Sequence, residues 1–493
     1  MQIEQERCVQ RSRKDWMALG LVLVGAVACG SGEQTPTDAG LQPTAAEREA
    51  FNQLIAFVKD DLAQNKVPGA SIAVVLHDEL LLASAVGVRW EGGTVPVTTS
   101  TRFAVGSMSK MVVAAAAMSV VDEGKLDLHA PIPRYLPWFK LADGFDAGAM
   151  TLHHLLTHSA GFPEVIFGCG GPQGGDKKDW FAANPQPLWM PPGTAWDYSS
   201  LGFTLASLVA TAAAGVDEST FEQFAHDRVF APAGMDTAIY DAQVAEAGDY
   251  AVGHIIDDQG RATQMQMDPY DCPIFNPPAG VKATASDYAR FAMMVLAGGG
   301  TTLKPASLTA MMAPHVSTGY RHSEFYGYGL GWEGEPLGAG DPVIQHGGVM
   351  DGYQSQLLVV PAEHFAVVVL ENATARTASG VFQPDSSRAA LKALELFVRP
   401  GSWSTPDPPN PALWAKFVGT YKDPYGSLGT WDVTLVDNPD GGVPTLNWGG
   451  LPMTQLMTSE AWVLPNGVSG VFYVNDAGVY DRLVTGAGVA NRQ

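Results

Sequence analysis

Positive charge and cysteine are both scarce in this sequence. Lys and Arg together number 29 of 493 residues, against 51 Asp and Glu, for a formal net charge of −22. Nucleic acid is therefore not an expected partner, because its binding rests on basic patches that this composition does not supply. The acidic residues are spread along the chain, and their expected effect is solubility. The four cysteines do not stand at the spacings of a metal site, so no metal is expected. There is no His-Glu-x-x-His zinc motif and no Gly-x-Ser-x-Gly elbow. No Gly-rich stretch is followed by Lys-Ser or Lys-Thr, as a phosphate loop would be. No cofactor is implied, and no repeat of solenoid or propeller period is present.

The N-terminus carries a different signal. Arg7, Arg11, Arg13 and Lys14 precede an apolar run from Trp16 to Ala28, which is too short to span a bilayer and reads as a secretory signal peptide over residues 1–28. The small residues Ala26-Val27-Ala28 before Cys29 resemble the lipobox of bacterial lipoproteins, with Ala26 where Leu is usual. That resemblance implies a lipidated Cys29 and a lipid anchor to a bacterial membrane. Gly30 rather than Asp follows it, so the implied location is the outer membrane, facing the periplasm or the surface. An ordinary cleaved signal with an incidental cysteine is the alternative. With Cys29 lipidated, Cys169 and Cys272 remain as a pair in an oxidising compartment and form a disulfide candidate, or stay as two separate thiols.

Beyond a polar tether at 29–44, residues 45–65 place Phe51, Leu54, Ile55, Phe57, Val58 and Leu62 at helical spacing, stopped by Val67-Pro68-Gly69. Residues 70–76 and 80–86 read as a hairpin around His77-Asp78-Glu79. Helices are expected at 152–157, 201–213, 221–230, 286–296 and 387–397, and strands at 343–345, 356–360 and 366–370. The Gly-rich stretch 167–189 reads as a long surface loop. Strands at both ends with helices between them predict an α/β domain over 45–400 with an all-helical insertion. A Pro-rich linker, 401–411, leads to residues 412–493, where short apolar runs alternate with turn signals such as Asn438-Pro439-Asp440-Gly441 and predict a small all-β unit.

The chemistry gathers at Ser107-Met108-Ser109-Lys110, directly before the uncharged run Met111–Val121. That run reads as a helix buried on most sides. With a helix beginning near Ser107, Lys110 lies one turn on, on the same face. A serine hydroxyl is a poor nucleophile until a base takes its proton, and a lysine serves as that base when burial favours its neutral form. The alternative is that Ser107 is only a helix cap. Of all the lysines, Lys110 alone has a serine three positions before it, and a structural lysine has little to do at the head of an uncharged run.

Two later stretches fall in order behind it: Tyr198-Ser199-Ser200-Leu201-Gly202 at a helix start, and His346-Gly347-Gly348 in a strand context. With these, the chain resembles the class C β-lactamase-like superfamily of serine hydrolases, which includes D-alanyl-D-alanine carboxypeptidases, D-aminopeptidases and family VIII esterases. Leu155-Leu156-Thr157-His158-Ser159-Ala160-Gly161, residues 279–287 and Tyr328-Gly329-Leu330-Gly331-Trp332 add to the resemblance, which covers about 45–398. It implies a β-lactamase/transpeptidase-like antiparallel sheet with an all-helical subdomain, and a lipocalin-like C-terminal β domain. It also implies roles: Ser107 as acylated nucleophile, Lys110 as its base, Tyr198 in acid–base work, and the backbone N–H groups of Ser107 and Val349 as the oxyanion hole. Ser200, His346, Gly347 and Gly348 would line the substrate.

Two positions depart from the family's pattern. Ser200 stands where its Tyr-x-Asn motif has Asn, and His346 where its Lys-Thr-Gly motif has Lys. A serine offers no side-chain amide to a substrate, and a histidine is largely neutral at pH 7. Both changes favour a neutral ester over a β-lactam. The expectation is a carboxylic esterase. A peptidase or amidase on D-Ala peptides, or a weak β-lactamase, is the alternative, and a non-catalytic scaffold lipoprotein is a third reading.

Overall fold

The computed structural model describes residues 42–142, 144–162, 177–265, 274–320, 323–333, 342–375, 384–400, 409–422, 430–455, 461–463, 469–474, 479–485 and 488–493. The signal segment, Cys29 and the disulfide candidates Cys169 and Cys272 lie outside these residues.

An eight-stranded sheet organises the larger part of the chain. In spatial order its strands are Glu79–Gly87, Gly69–Leu76, Phe365–Glu371, Tyr353–Val360, Val343–Met350, Gly331–Glu333, Ser323–Tyr326 and Val316–Tyr320. All neighbouring strands pair antiparallel. The central strands are apolar on both faces, because both faces are covered. Ala70, Ile72, Val74, Leu358, Val360, Phe365, Val367 and Val369 pack against the helices Ala45–Asn65 and Ser386–Phe397. Their strand neighbours Ala73, Val75, Leu357, Val359, Ala366, Val368 and Leu370 join the larger core on the opposite face, as the two-residue period of a strand requires.

That larger core is helical. Its centre is Ser109–Asp122, buried from Ser109 through Val120, so it has no polar face to place in water. Ser200–Ala214, capped by Ser199, whose side chain accepts from the Gly202 N–H, packs against it. Three predicted elements differ in the structure. Residues 177–183, inside the expected long loop, form the helix Lys177–Ala183, fixed by the Lys177–Glu222 ion pair at 2.9 Å and by Phe181 in the core. The expected helix 221–230 is α-helical only over Phe221–Ala225 and then widens into a π-turn, His226–Phe230, just before Pro232, which has no N–H to donate. The strand expected at 343–345 continues to Met350, because Gly347 and Gly348 still pair with Gln356 and Ser355.

The C-terminal residues form a second, nine-stranded antiparallel sheet. Its first strand, Gly419–Lys422, pairs with its last, Gly488–Arg492. Leu451–Pro452 and Thr454–Gln455 are two halves of one run, broken at Met453, pairing with strands on opposite sides. The meander therefore closes on itself, as in an up-and-down barrel. Trp414, Phe417, Tyr421, Leu446, Met453, Phe472 and Leu483 fill it, with Phe417 and Phe472 stacked at 4.4 Å.

Candidate active site

Ser107 sits in a 3-10 turn, Gly106–Met108, that feeds directly into the buried helix. Gly106 makes the turn possible with φ 52°. Ser109 locks it: its hydroxyl donates to the Gly106 carbonyl at 2.7 Å and accepts from the Val281 N–H at 3.1 Å. The second serine of the motif is thus structural.

Lys110 is fully buried, at 0% exposure, while Ser107 is half-buried. The Lys110 Nζ donates to Ser107 Oγ at 3.1 Å, to Ser200 Oγ at 3.0 Å and toward the Pro278 carbonyl at 3.4 Å. It also lies 4.7 Å from the centre of the Tyr198 ring. Three segments distant in sequence thus converge on one amine whose named partners are hydroxyls, a carbonyl and an aromatic face. That is an environment in which a lysine can accept a proton.

The Val343–Met350 strand closes the other side. It pairs with Gly331–Glu333 only through Gln345, and beyond that it runs along the Ser107 turn. A Cβ on Gly348 would stand 2.0 Å from the Val105 carbonyl, so only glycine allows this approach. Ser355 ties the same carbonyl from the next strand at 2.7 Å. The Val349 nitrogen comes within 3.1 Å of where a Gly106 Cβ would stand, which sets it beside the start of the Ser107 turn. Val349 is 68% exposed.

His346 is buried. Its Nδ1 lies 2.6 Å from the Gly347 carbonyl and its Nε2 2.8 Å from the Tyr326 hydroxyl. A carbonyl only accepts, so Nδ1 carries the proton and Nε2 accepts from Tyr326. Burial, reinforced by Lys110, pushes this imidazole down to about 3, and it is neutral at physiological pH. The structure brings Ser107, Lys110, Tyr198, Ser200, His346, Gly347, Gly348 and Val349 into one neighbourhood. The groups that sequence reasoning did not assign are His158, Trp196 and Tyr326. His158 stands in a stretch that carried the family resemblance. Tyr326 had no sequence signal, because its role depends on how a short strand is laid beside His346.

The family model for β-lactamase matches residues 54–392, which is 339 of the 493 residues. The chain belongs to the β-lactamase family. Among its relatives is penicillin-binding protein 4 of Amycolatopsis lactamdurans, 29% identical over 74% of this chain and 95% of that one. Esterase EstB of Burkholderia gladioli is 33% identical over 36% of this chain and half of its own length. The octameric penicillin-binding protein homologue of Pyrococcus abyssi superposes with a TM-score of 0.64 at 24% identity, covering 89% of this chain and 99% of that one. This β-lactamase-family chain therefore has the fold of these proteins, and the Pyrococcus abyssi match, at 89% of the chain, is too long to stop before the C-terminal sheet.

Proposed function

We propose that this protein is a serine hydrolase that works through an acyl-enzyme on Ser107, and that its substrates are neutral carboxylic esters. Lys110 takes the Ser107 proton as Oγ attacks the carbonyl carbon. The tetrahedral oxyanion is received by the Ser107 and Val349 backbone N–H groups. The intermediate collapses, the alkoxide leaves with a proton supplied through the Lys110–Tyr198 pair, and water then releases the acid by the reverse path.

The observation that carries the ester reading is the state of His346. It stands where the family's pattern has a lysine, yet it is neutral and bonded at both ring nitrogens. A β-lactam or a D-Ala-D-Ala peptide brings a carboxylate, and the strongly acidic chain needs a cation to receive it. Ser200 adds support, since its hydroxyl is engaged by Lys110 and its side chain has no amide to offer. The similarity to an esterase agrees with this reading, while the similarity to a penicillin-binding protein favours the peptide or β-lactam alternative. A nitrophenyl butyrate, a chromogenic cephalosporin and a D-Ala-D-Ala peptide assayed side by side at pH 7 to 8 decide between them. Ester hydrolysis with weak or absent turnover of the other two is expected, and a cephalosporin cleaved as fast as the ester overturns the reading.

We further propose an exported, envelope-anchored protein lipidated at Cys29. Metabolic labelling with a fatty acid should mark the wild type and not Cys29→Ser.

A further inference from the structure

We infer that His158 is the positioning residue for Tyr198, holding the Asp197-Tyr198-Ser199 stretch from both sides so that the tyrosine ring and Ser200 stay against Lys110. The inference rests on the reading of Tyr198 and Lys110 as parts of the reacting site.

The geometry is a clamp. The backbone carbonyl of His158 accepts from the Asp197 N–H at 2.7 Å. Its side-chain Nδ1 accepts from the Ser199 N–H at 2.9 Å. Between these two bonds its ring lies over the Tyr198 ring, 4.1 Å between centres and tilted by 30°. Trp196, Phe203 and Tyr326 enclose the imidazole on its other sides. Every residue from Asp197 to Ser199 is thus touched by His158, and the next residue, Ser200, receives Lys110. A shift of about 1 Å in such a stretch separates reacting groups that must sit at hydrogen-bond distance.

The clamp is built against local preference. His158 has φ 56°, a left-handed backbone that non-glycine residues rarely adopt. Because Nδ1 accepts from an N–H, the proton sits on Nε2, and that atom is buried without a hydrogen-bond partner among the described residues. A residue that combines a disfavoured backbone with an unanswered buried donor persists where the surroundings over-determine it. Burial, with Lys110 and His346 nearby, keeps the ring well below the ordinary histidine range. The groups that face it are Lys110, Tyr198, Tyr326 and His346, and a neutral ring adds no charge against the amine.

The test uses the whole protein with nitrophenyl butyrate as probe, and thermal unfolding of each variant as the folding control. His158→Ala removes the acceptor and the ring, and kcat should fall about 30-fold or more with KM held within about threefold. His158→Asn keeps an acceptor, its Oδ1, and tolerates positive φ, so kcat should recover to within about fivefold of wild type. The acid limb of the kcat/KM profile should shift in the alanine variant and return in the asparagine variant. Should the alanine variant not fold, the asparagine variant decides alone: a folded variant that loses 30-fold or more overturns the inference. An alanine variant with wild-type kcat overturns it too, as does a loss of activity that tracks melting temperature with an unchanged pH profile. A readout independent of catalysis separates this inference from the functional reading: nitrogen-15 histidine spectra should show His158 as the neutral Nε2–H tautomer from pH 5 to 9. Titration of His158 in that range overturns the clamp even if the ester is hydrolysed, whereas unlabelled Ser107 after fluorophosphonate treatment would overturn only the functional reading.

Discussion

The two faces of the eight-stranded sheet both bury charge, and they resolve it differently. On the face covered by Ala45–Asn65 and Ser386–Phe397, Asp61 and Glu371 are 4% and 1% exposed. Arg388 pairs with Asp61 at 2.9 Å. One guanidinium does not answer both carboxylates and the nearby Asp385. Burial first, then Asp61 and Asp385, pushes Glu371 up to about 8. On the opposite face Lys110 is buried among hydroxyls, a carbonyl and rings, with two imidazoles held neutral beside it. The first face neutralises charge by retaining a proton on an acid. The second keeps an amine where it can exchange a proton with a hydroxyl. The proposed chemistry belongs to the second face, where Ser107 is half-buried and open to a substrate. The first face is closed by two helices and can only spend its perturbed acid on stability.

The largest effect that sharpens this contrast comes from the amine and its hydroxyl. Ser107→Ala and Lys110→Ala should each lower kcat/KM by about 10³-fold or more, and the double variant should lose little beyond either, because the two act as one unit. Steady-state kinetics on a neutral ester, with thermal unfolding to confirm folding, measures this. Near-normal activity in Ser107→Ala would break the mechanism.

Gly348→Ala should come next. The added methyl would stand 2.0 Å from the Val105 carbonyl, so the strand must move off the Ser107 turn and take the Val349 N–H with it. A displacement of that kind costs on the order of 10²-fold in kcat. The variant should still fold, since the rest of the strand keeps its pairing with Tyr353–Val360. Unchanged kcat would show that the Val349 N–H is not part of the oxyanion site.

How much of this was legible beforehand differs between the faces in the same way. The Phe51, Leu54, Val58, Leu62 stripe and the apolar runs around His77-Asp78-Glu79 are local patterns, and they mark the first helix and the hairpin Gly69–Leu76 and Glu79–Gly87 to within a residue. Ser107 and Lys110 were legible because their relation is local to one turn. His158, Tyr326 and the Pro278 carbonyl were not, since each reaches the site across a long sequence separation. The strand was bounded too short, at Gln345, for a related reason. Gly347 and Gly348 carry no side chain that marks a strand, and their pairing with Gln356 and Ser355 gives them a place in the sheet. The helix Lys177–Ala183 was hidden by its Gly-rich approach, and its stability comes from Glu222, a distant partner.

A substrate-side change should have a more modest effect. His346→Lys adds a cation beside the site, and the ratio of turnover on a carboxylate-bearing substrate to turnover on a neutral ester should rise by about tenfold. A ratio that does not move would mean that the charge at this position does not select the substrate.

The smallest effect is confined to the other face and to stability. Glu371 has a folded-state value of about 8, against roughly 4.3 in an unfolded chain. Between those values the native protein holds a proton that the unfolded chain has released. Stability therefore falls as pH rises through that window, by on the order of 1 kcal/mol per pH unit at most. Below about pH 4 the group is protonated in both states and contributes no slope. Above pH 8 it is ionised in both, and the loss is complete. Glu371→Gln keeps the shape of the neutral acid and removes the titration. Urea midpoints at pH 5, 7 and 9 should therefore show the variant gaining on the wild type with each step. The ester kcat should not change at any of them, because this acid lies across the sheet from Lys110. Parallel midpoint curves would mean that Arg388 answers Glu371 as well as Asp61. An altered kcat would mean that the two faces are coupled through the sheet.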